Sequence, residues 1–247
     1  MKINKVLVSQ PKPSTDKSPY ADMAKKYGVD FDFQPFIQVE GVSSKEFRQT
    51  RIQIQDHQAV IMTSKASIDH FFRICELLRI TVSDDMKYYC ASEAIAVYLQ
   101  KYIVYRKRKI FFANGSTSNL IEILKKSKKD QILLPLSHVH KQDIIDLLDK
   151  GGYNYTKAIL YRTVSSDLSS INIKDYELIV FFSPSGITSL QDNFPNFEQG
   201  NTKIACLGPA TAQAVTDAGL RLDIQAPNPK APSITMALEQ YIQKCNK

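Results

Sequence analysis

Along the chain, apolar runs of strand length alternate with longer amphipathic stretches. "VIMTSKASIDHFF" (Val60–Phe72) reads as an apolar strand, a Ser-rich turn and a helix with apolar positions at helical spacing. "IVFFSPSGITSL" (Ile179–Leu190) has the same form. Runs such as Gln131–Leu136 and Leu178–Phe182 are apolar and β-branched, as suits strands buried on both faces. Strands alternating with helices predict α/β architecture, with parallel sheets covered by helices on both sides.

The pattern repeats at about half the chain length, and internal repeats decide architecture. Ser64 aligns with Ser183 and Ile68 with Ile187. "YYCASEAIAVYLQ" (Tyr88–Gln100) matches "IACLGPATAQAVT" (Ile204–Thr216), pairing Ala91 with Gly208 and Ala94 with Thr211. Ser116 falls on Ser233, and "KVLVSQ" (Lys5–Gln10) matches "QILLPL" (Gln131–Leu136). Two similar parallel-sheet lobes are therefore expected.

Two stretches fall outside the strand–turn–helix units. "FDFQPFIQVEGV" (Phe31–Val42) and "YNYTKAILYRTVSS" (Tyr153–Ser166) read as extended strands crossing between lobes. The chain would then start in one lobe, cross to the other and return. That expectation puts 1–36 and 162–247 in one lobe and 37–161 in the other. The linker strands would lie near 31–42 and 153–166. Ligands of open α/β sheets bind at the carboxyl ends of the strands, so an active-site cleft between the lobes is expected, with hinge closure around the ligand.

Each turn after a strand is rich in Ser, Thr, Gly or Pro: "TSKAS", "CASEA", "ANGSTS", "FSPSG", "LGPAT" and "NPKAPS". Ser and Thr in such places cap helices. Helix N-termini also carry free N–H groups and a partial positive charge that hold anions. Both readings stand for any single turn. Taken together, the turns suit a ligand with several carboxylates.

Composition narrows the class. Hydrophobic residues make up 43% and charged residues 23%, as in ordinary globular chains. No apolar run approaches the ~20 residues of a membrane span, and "MKINKVLVSQ" lacks a signal-peptide pattern, so a cytoplasmic protein with no membrane partner is expected. Cys75, Cys90, Cys206 and Cys245 form no CxxC motif, and reduced thiols are expected. The net charge of +7 gathers in "YRKRKI" and "KKSKK", which suits nucleic acid, an acidic small molecule or a solvated surface. Aromatics are not interleaved there in an RNA-binding pattern, so nucleic acid is not an expected partner. No P-loop, GxG fingerprint or GxSxG elbow occurs. His138 and His140 ("SHVHK") lack a partnering cluster of metal ligands, and His57 and His70 are expected to be exposed or capping.

"IVFFSPSGITSL", "KIACLGPATAQAVTDAGL" and "APNPKAPSITMALEQYI", in this order and spacing, resemble the uroporphyrinogen-III synthase family. "VIMTSKASIDHFF" and "ILYRTV" (Ile159–Val164) extend the resemblance over almost the whole chain. It implies two α/β lobes joined by a two-stranded linker. The implied reaction is closure of hydroxymethylbilane, a linear tetrapyrrole, to uroporphyrinogen III, a lyase step of haem biosynthesis. The terminal pyrrole is inverted and water is lost, with no metal or organic cofactor. A monomer that takes its substrate by hand-over from hydroxymethylbilane synthase is implied too.

Carried over by residue, the resemblance makes Tyr161 a general acid or hydrogen-bond donor to the departing hydroxyl. It places Ser64, Lys65, Ser92, Ser183, Ser185, Gly186, Gly208, Pro209 and Thr211 at the substrate. Gln10 and Leu136 stand where many members carry arginine, and Ala94 where threonine is usual; Lys12, Lys65 and His138 are the nearby sources of positive charge. The alternative is a non-catalytic homologue binding a tetrapyrrole or another polycarboxylate.

Overall fold

A computed structural model describes residues 2–15 and 17–246. In chain order it runs β1 (Lys5–Val8), α1 (Pro19–Tyr27), β2 (Asp30–Phe33), β3 (Ile37–Gly41), α2 (Ser44–Gln49), β4 (Ala59–Met62) and α3 (Lys65–Leu78). Then come β5 (Lys87–Cys90), α4 (Glu93–Leu99), β6 (Ile110–Phe112), α5 (Thr117–Leu124), β7 (Ile132–Ser137), α6 (Asp143–Lys150) and β8 (Tyr155–Ser165). The last part holds β9 (Leu178–Phe181), α7 (Pro184–Asn193), β10 (Lys203–Leu207), α8 (Pro209–Asp217), β11 (Ile224–Ala226) and α9 (Ile234–Cys245). The chain divides into two compact units, Met1–Gln38 with Val164–Lys247, and Val39–Thr163.

The first unit is built on a five-stranded sheet of order β11-β10-β9-β1-β2, parallel at every pairing. Alternation along each strand sends neighbours to opposite faces. Val6, Val8, Leu178 and Val180 pack with Met23 of α1 and Leu238 and Ile242 of α9. Leu7, Ile179, Phe181 and Cys206 pack with Ile187 and Leu190 of α7 and Val215 of α8.

The second unit has a six-stranded sheet of order β3-β8-β7-β4-β5-β6. Val60, Met62, Tyr88 and Leu133 meet Ile68, Phe71 and Ile74 of α3 and Leu99 of α4. Ala59, Ile61, Tyr89 and Leu134 meet Leu120 and Leu124 of α5 and Ile144 and Leu148 of α6. Each fully buried Leu, Ile or Phe contributes roughly 1.5–3 kcal/mol, and two-sided burial explains why the central strands β4 and β9 carry no polar residue.

The two sheets share one spatial order once β4, β5, β6, β7 and β8 are matched with β9, β10, β11, β1 and β2. The same pairing was legible in the repeat, with one correction. Met62 sits opposite Cys90 in the second unit, and Phe181 opposite Cys206 in the first. Two residues beyond each of these strand pairs the helix caps coincide: Ser64 with Ser183, and Ser92 with Gly208. Thr211 therefore corresponds to Ile95, one residue past the expected Ala94.

Phe31–Val42 is not one strand. Pro35 has no N–H to give a ladder, and the stretch breaks there into β2 and β3, which join different sheets. Tyr153–Ser166 does carry one long strand, the eleven residues of β8.

Candidate active site

In an open parallel sheet, the crevice forms where strand order reverses, because the two flanking helices depart to opposite faces. In the second unit β4 leads to β5 and β6 on one side, while β7 and β8 lie on the other. The reversal falls between the ends of β4 and β7. A cavity of about 390 Å³ opens there. Thr63 and Ser64 after β4, Ser137 at the end of β7 and His140 after it, Ser116 before α5, and Tyr161 of β8 line it.

Tyr161 reaches this cavity through an irregularity in its strand. Leu136 pairs with Ile159, but Ser137 pairs with Tyr161, so Leu160 is an extra residue in the ladder. Such bulges re-aim a side chain near a site. The Tyr161 hydroxyl lies 3.3 Å from Ser64 Oγ. Its ring stacks on the His70 imidazole, with centroids 4.8 Å apart and planes at 16°. Ser64 is fixed in turn as the cap of α3: its Oγ accepts the Ser67 N–H at 3.0 Å, and the Ser64 N–H donates to Ser67 Oγ at 3.1 Å. Burial, then the nearby Arg73 charge, holds the His70 imidazole below its ordinary pKa, against an opposing pull from Asp69.

The other expected residues are placed as follows. Lys65 is exposed, its ammonium 5.2 Å from the centre of the Tyr98 ring. Ser92 precedes α4 but its side chain makes no capping bond. In the first unit, Ser183 precedes α7 and Gly208 precedes α8, each followed by proline, and neither helix has a side-chain cap. The first-turn amides of α7 and α8 thus lack the side-chain acceptor that Ser64, Ser116 and Ser233 supply elsewhere. Capping therefore accounts for some of the Ser/Thr turns and not for these two. Ser185 and Pro209 are exposed, Gly186 is buried, and Thr211 is buried at 2% exposure. A Cβ on Gly186 would come within 3.2 Å of the Phe181 ring, which explains a glycine in that turn.

The uroporphyrinogen-III synthase HemD family model, HEM4, matches residues 18–236. The chain belongs to the uroporphyrinogen-III synthase family. The fold agrees: the uroporphyrinogen-III synthetase structure from Helicobacter pylori 26695 superposes with a TM-score of 0.57 at 15% identity, covering 98% of this chain and 100% of that one. A mutant uroporphyrinogen III synthase from the extremely thermophilic bacterium Thermus thermophilus gives 0.52 at 15% identity, covering 98% and 99%. No curated protein matches the sequence.

Uroporphyrinogen-III synthase membership implies an enzyme of haem biosynthesis acting on a tetrapyrrole. Among the described residues no cluster of three or more His, Cys, Asp or Glu could hold a metal, and no helix is long and apolar enough to cross a membrane. The basic runs are partly engaged within the fold. Arg106 and Lys109 pair with Asp84 and Asp85 at 3.6 and 2.8 Å, and Lys126 and Lys128 lie over the rings of Phe111 and Tyr153.

Histidines depart most from expectation. His57 is buried, its Nδ1 2.8 Å from the Gln53 carbonyl, and His70 is half-buried beside Tyr161. His57 closes the short 3-10 turn Ile54–Asp56, the capping role expected of it, although it is buried; His70 is neither exposed nor capping. His138, expected near the site as a source of charge, is exposed and outside the cavity wall; His140 and Lys141 line it instead. His140 Nδ1 bonds the Ser137 carbonyl at 2.8 Å, so Nε2 is its free nitrogen. A signal for His70 was present: Ser64, Ser67, His70 and Arg73 recur every three residues, so each lies beside the next along α3.

Proposed function

We propose that this chain is a uroporphyrinogen-III synthase that closes hydroxymethylbilane to uroporphyrinogen III, inverting the terminal pyrrole and releasing water. The observation that carries the reading is the Tyr161–Ser64 pair, 3.3 Å apart in the wall of a cavity at the strand-order reversal, in a chain of this family.

The chemistry asks little of the protein. The hydroxymethyl C–O bond breaks, the oxygen leaves as water, and the electron-rich pyrrole carries the resulting cation as an azafulvenium. The terminal ring then attacks through its substituted carbon. The bond from that carbon to its old methylene bridge breaks, and the bridge re-forms at the ring's unsubstituted α carbon. The proton lost there restores the pyrrole and balances the water released. Ser64 Oγ already accepts an amide proton, so its own proton is available to the Tyr161 oxygen. That leaves the phenol O–H to donate to the departing hydroxyl. The remaining work is holding a flexible polyanion in a productive shape, which is catalysis by positioning and charge.

Substrate carboxylates are assigned to the uncapped first turns of α7 and α8, with Ser183, Ser185, Gly186, Gly208, Pro209 and Thr211. In the second unit they are assigned to the turns at Ser64 and Ser92, with Lys65. Lys141 in the cavity wall supplies a cation close to Leu136, where many members carry arginine.

The test is a coupled assay in which porphobilinogen and hydroxymethylbilane synthase generate substrate, and oxidised uroporphyrins are separated as isomers I and III. Conversion of the isomer I background into isomer III supports the reading. A folded protein that yields isomer I alone refutes it. Tyr161→Phe is expected to lower the isomer III rate by about a hundredfold, with the thermal midpoint unchanged.

A further inference from the structure

We propose that His70 and Arg73 are positioning residues for Tyr161, clamping its ring so that the hydroxyl stays against Ser64 in the cavity wall. This rests on the reading of Tyr161 as donor to the departing hydroxyl.

Arg73 ties three elements to one another. Its Nε–H donates to His70 Nδ1 at 3.1 Å. Its Nη2 donates to the Val42 carbonyl at 2.8 Å and to the Leu160 carbonyl at 3.2 Å. Leu160 is the extra residue of the bulge, immediately before Tyr161, and its carbonyl also accepts the Val42 N–H at 2.9 Å. One guanidinium thus fixes both the backbone that aims Tyr161 and the imidazole that stacks on it. Because Nδ1 accepts from Arg73, the ring proton of neutral His70 is assigned to Nε2. The stacked imidazole restricts rotation of the Tyr161 ring about its long axis and its tilt away from Ser64.

Arg73 spends its donors on the surroundings of Tyr161 and not on an ion pair. Among the described residues Arg73 has no carboxylate partner, although it is half-buried. A desolvated guanidinium is costly unless its donors are used, and here they are used on two carbonyls and one imidazole beside the site. Gly41 makes room for it: a Cβ there would fall 2.3 Å from Arg73 Cζ.

A double-mutant cycle tests the proposal. His70→Gln and Arg73→Lys are each expected to lower kcat about tenfold, with KM within about twofold, because small misplacement of a reacting group is costly. Gly41→Ala displaces the guanidinium without touching either ring and is expected to act in the same direction. In a Tyr161→Phe background the same replacements are expected to change kcat less than about twofold, since their effect runs through the phenol. The Tyr161 ring resonances are expected to shift in His70→Gln even without substrate. Unchanged kcat in His70→Gln and Arg73→Lys, while Tyr161→Phe is impaired, overturns the positioning role. So do equal losses in both backgrounds, which mark a general structural effect. An unimpaired Tyr161→Phe refutes the reading of Tyr161 itself, and the ring resonances then decide alone whether His70 holds that ring. If His70→Gln does not fold, Arg73→Lys and Gly41→Ala carry the cycle.

Discussion

At the residue scale, the site depends on side chains whose protonation is set by their surroundings. His70 is the clearest case. An unfolded chain binds a proton at His70 near pH 6.5, its ordinary value, whereas the folded protein resists protonation because of burial and the Arg73 charge. Between the two values the unfolded state holds more protons, so stability rises with pH across that window. The contribution is complete above about pH 6.5 and is lost as pH falls toward the lower folded value. Between pH 7.5 and pH 5.5, urea unfolding is therefore expected to show the wild type losing more stability than His70→Gln. Equal losses in both would contradict this assignment. Thiols behave in the opposite sense. Burial pushes Cys75 and Cys90 up to about 12 and Cys206 up to about 11, which keeps them protonated and inert. A disulfide reagent at pH 8 is expected to label only half-buried Cys245 in the native protein and all four cysteines after denaturation.

At the scale of elements, the helix starts differ in whether a side chain caps them. Ser64, Ser116 and Ser233 cap α3, α5 and α9, and replacing any of them by Ala is expected to cost about 1 kcal/mol in urea unfolding. Ser183 makes no capping bond, so Ser183→Ala is expected to leave stability within about 0.5 kcal/mol of the wild type. A larger loss would show that the side chain bears on folding after all. Gly208 is different again. Its φ of 86° lies where L residues are strained, yet nothing stands within 4 Å of the place a Cβ would occupy. Gly208→Ala is expected to destabilise by roughly 1–2 kcal/mol through the backbone alone. At the same time β8 is secured from the side: Arg162 pairs with Glu46 at 3.1 Å and Glu40 at 3.6 Å. The Ser43 amide and hydroxyl, then Arg162, hold the Glu46 carboxyl down at about 2.

At the scale of the whole molecule, each unit builds the same layered sheet with helices on both faces, and each is stabilised chiefly by burial. Phe71, fully buried between α3 and the sheet, is expected to cost about 3–5 kcal/mol when changed to Ala. The paired units were legible in the chain because hydrophobic period and turn chemistry are local properties. Val60–Phe72 and Ile179–Leu190 read as strand, turn and helix from spacing alone, and β4–α3 and β9–α7 are what they form. The SPSG and GPAT turns likewise carried the family resemblance through their order and spacing with the other matching stretches. Other features needed chain segments distant in sequence. The break at Pro35 assigns β2 and β3 to different sheets only because partners exist on each side. The Leu160 bulge exists only in the pairing of β8 with β7, and it is what turns Tyr161 toward Ser64. His70 looked isolated because its neighbours, Tyr161 and the Leu160 carbonyl held by Arg73, lie about ninety residues away in the chain. The sequence by itself determined the class of fold, the repeat and the family, since these follow from periodicity and local motifs. Tertiary structure alone decided which hydroxyls meet and which imidazole is buried, since register and desolvation are set by contacts between distant segments.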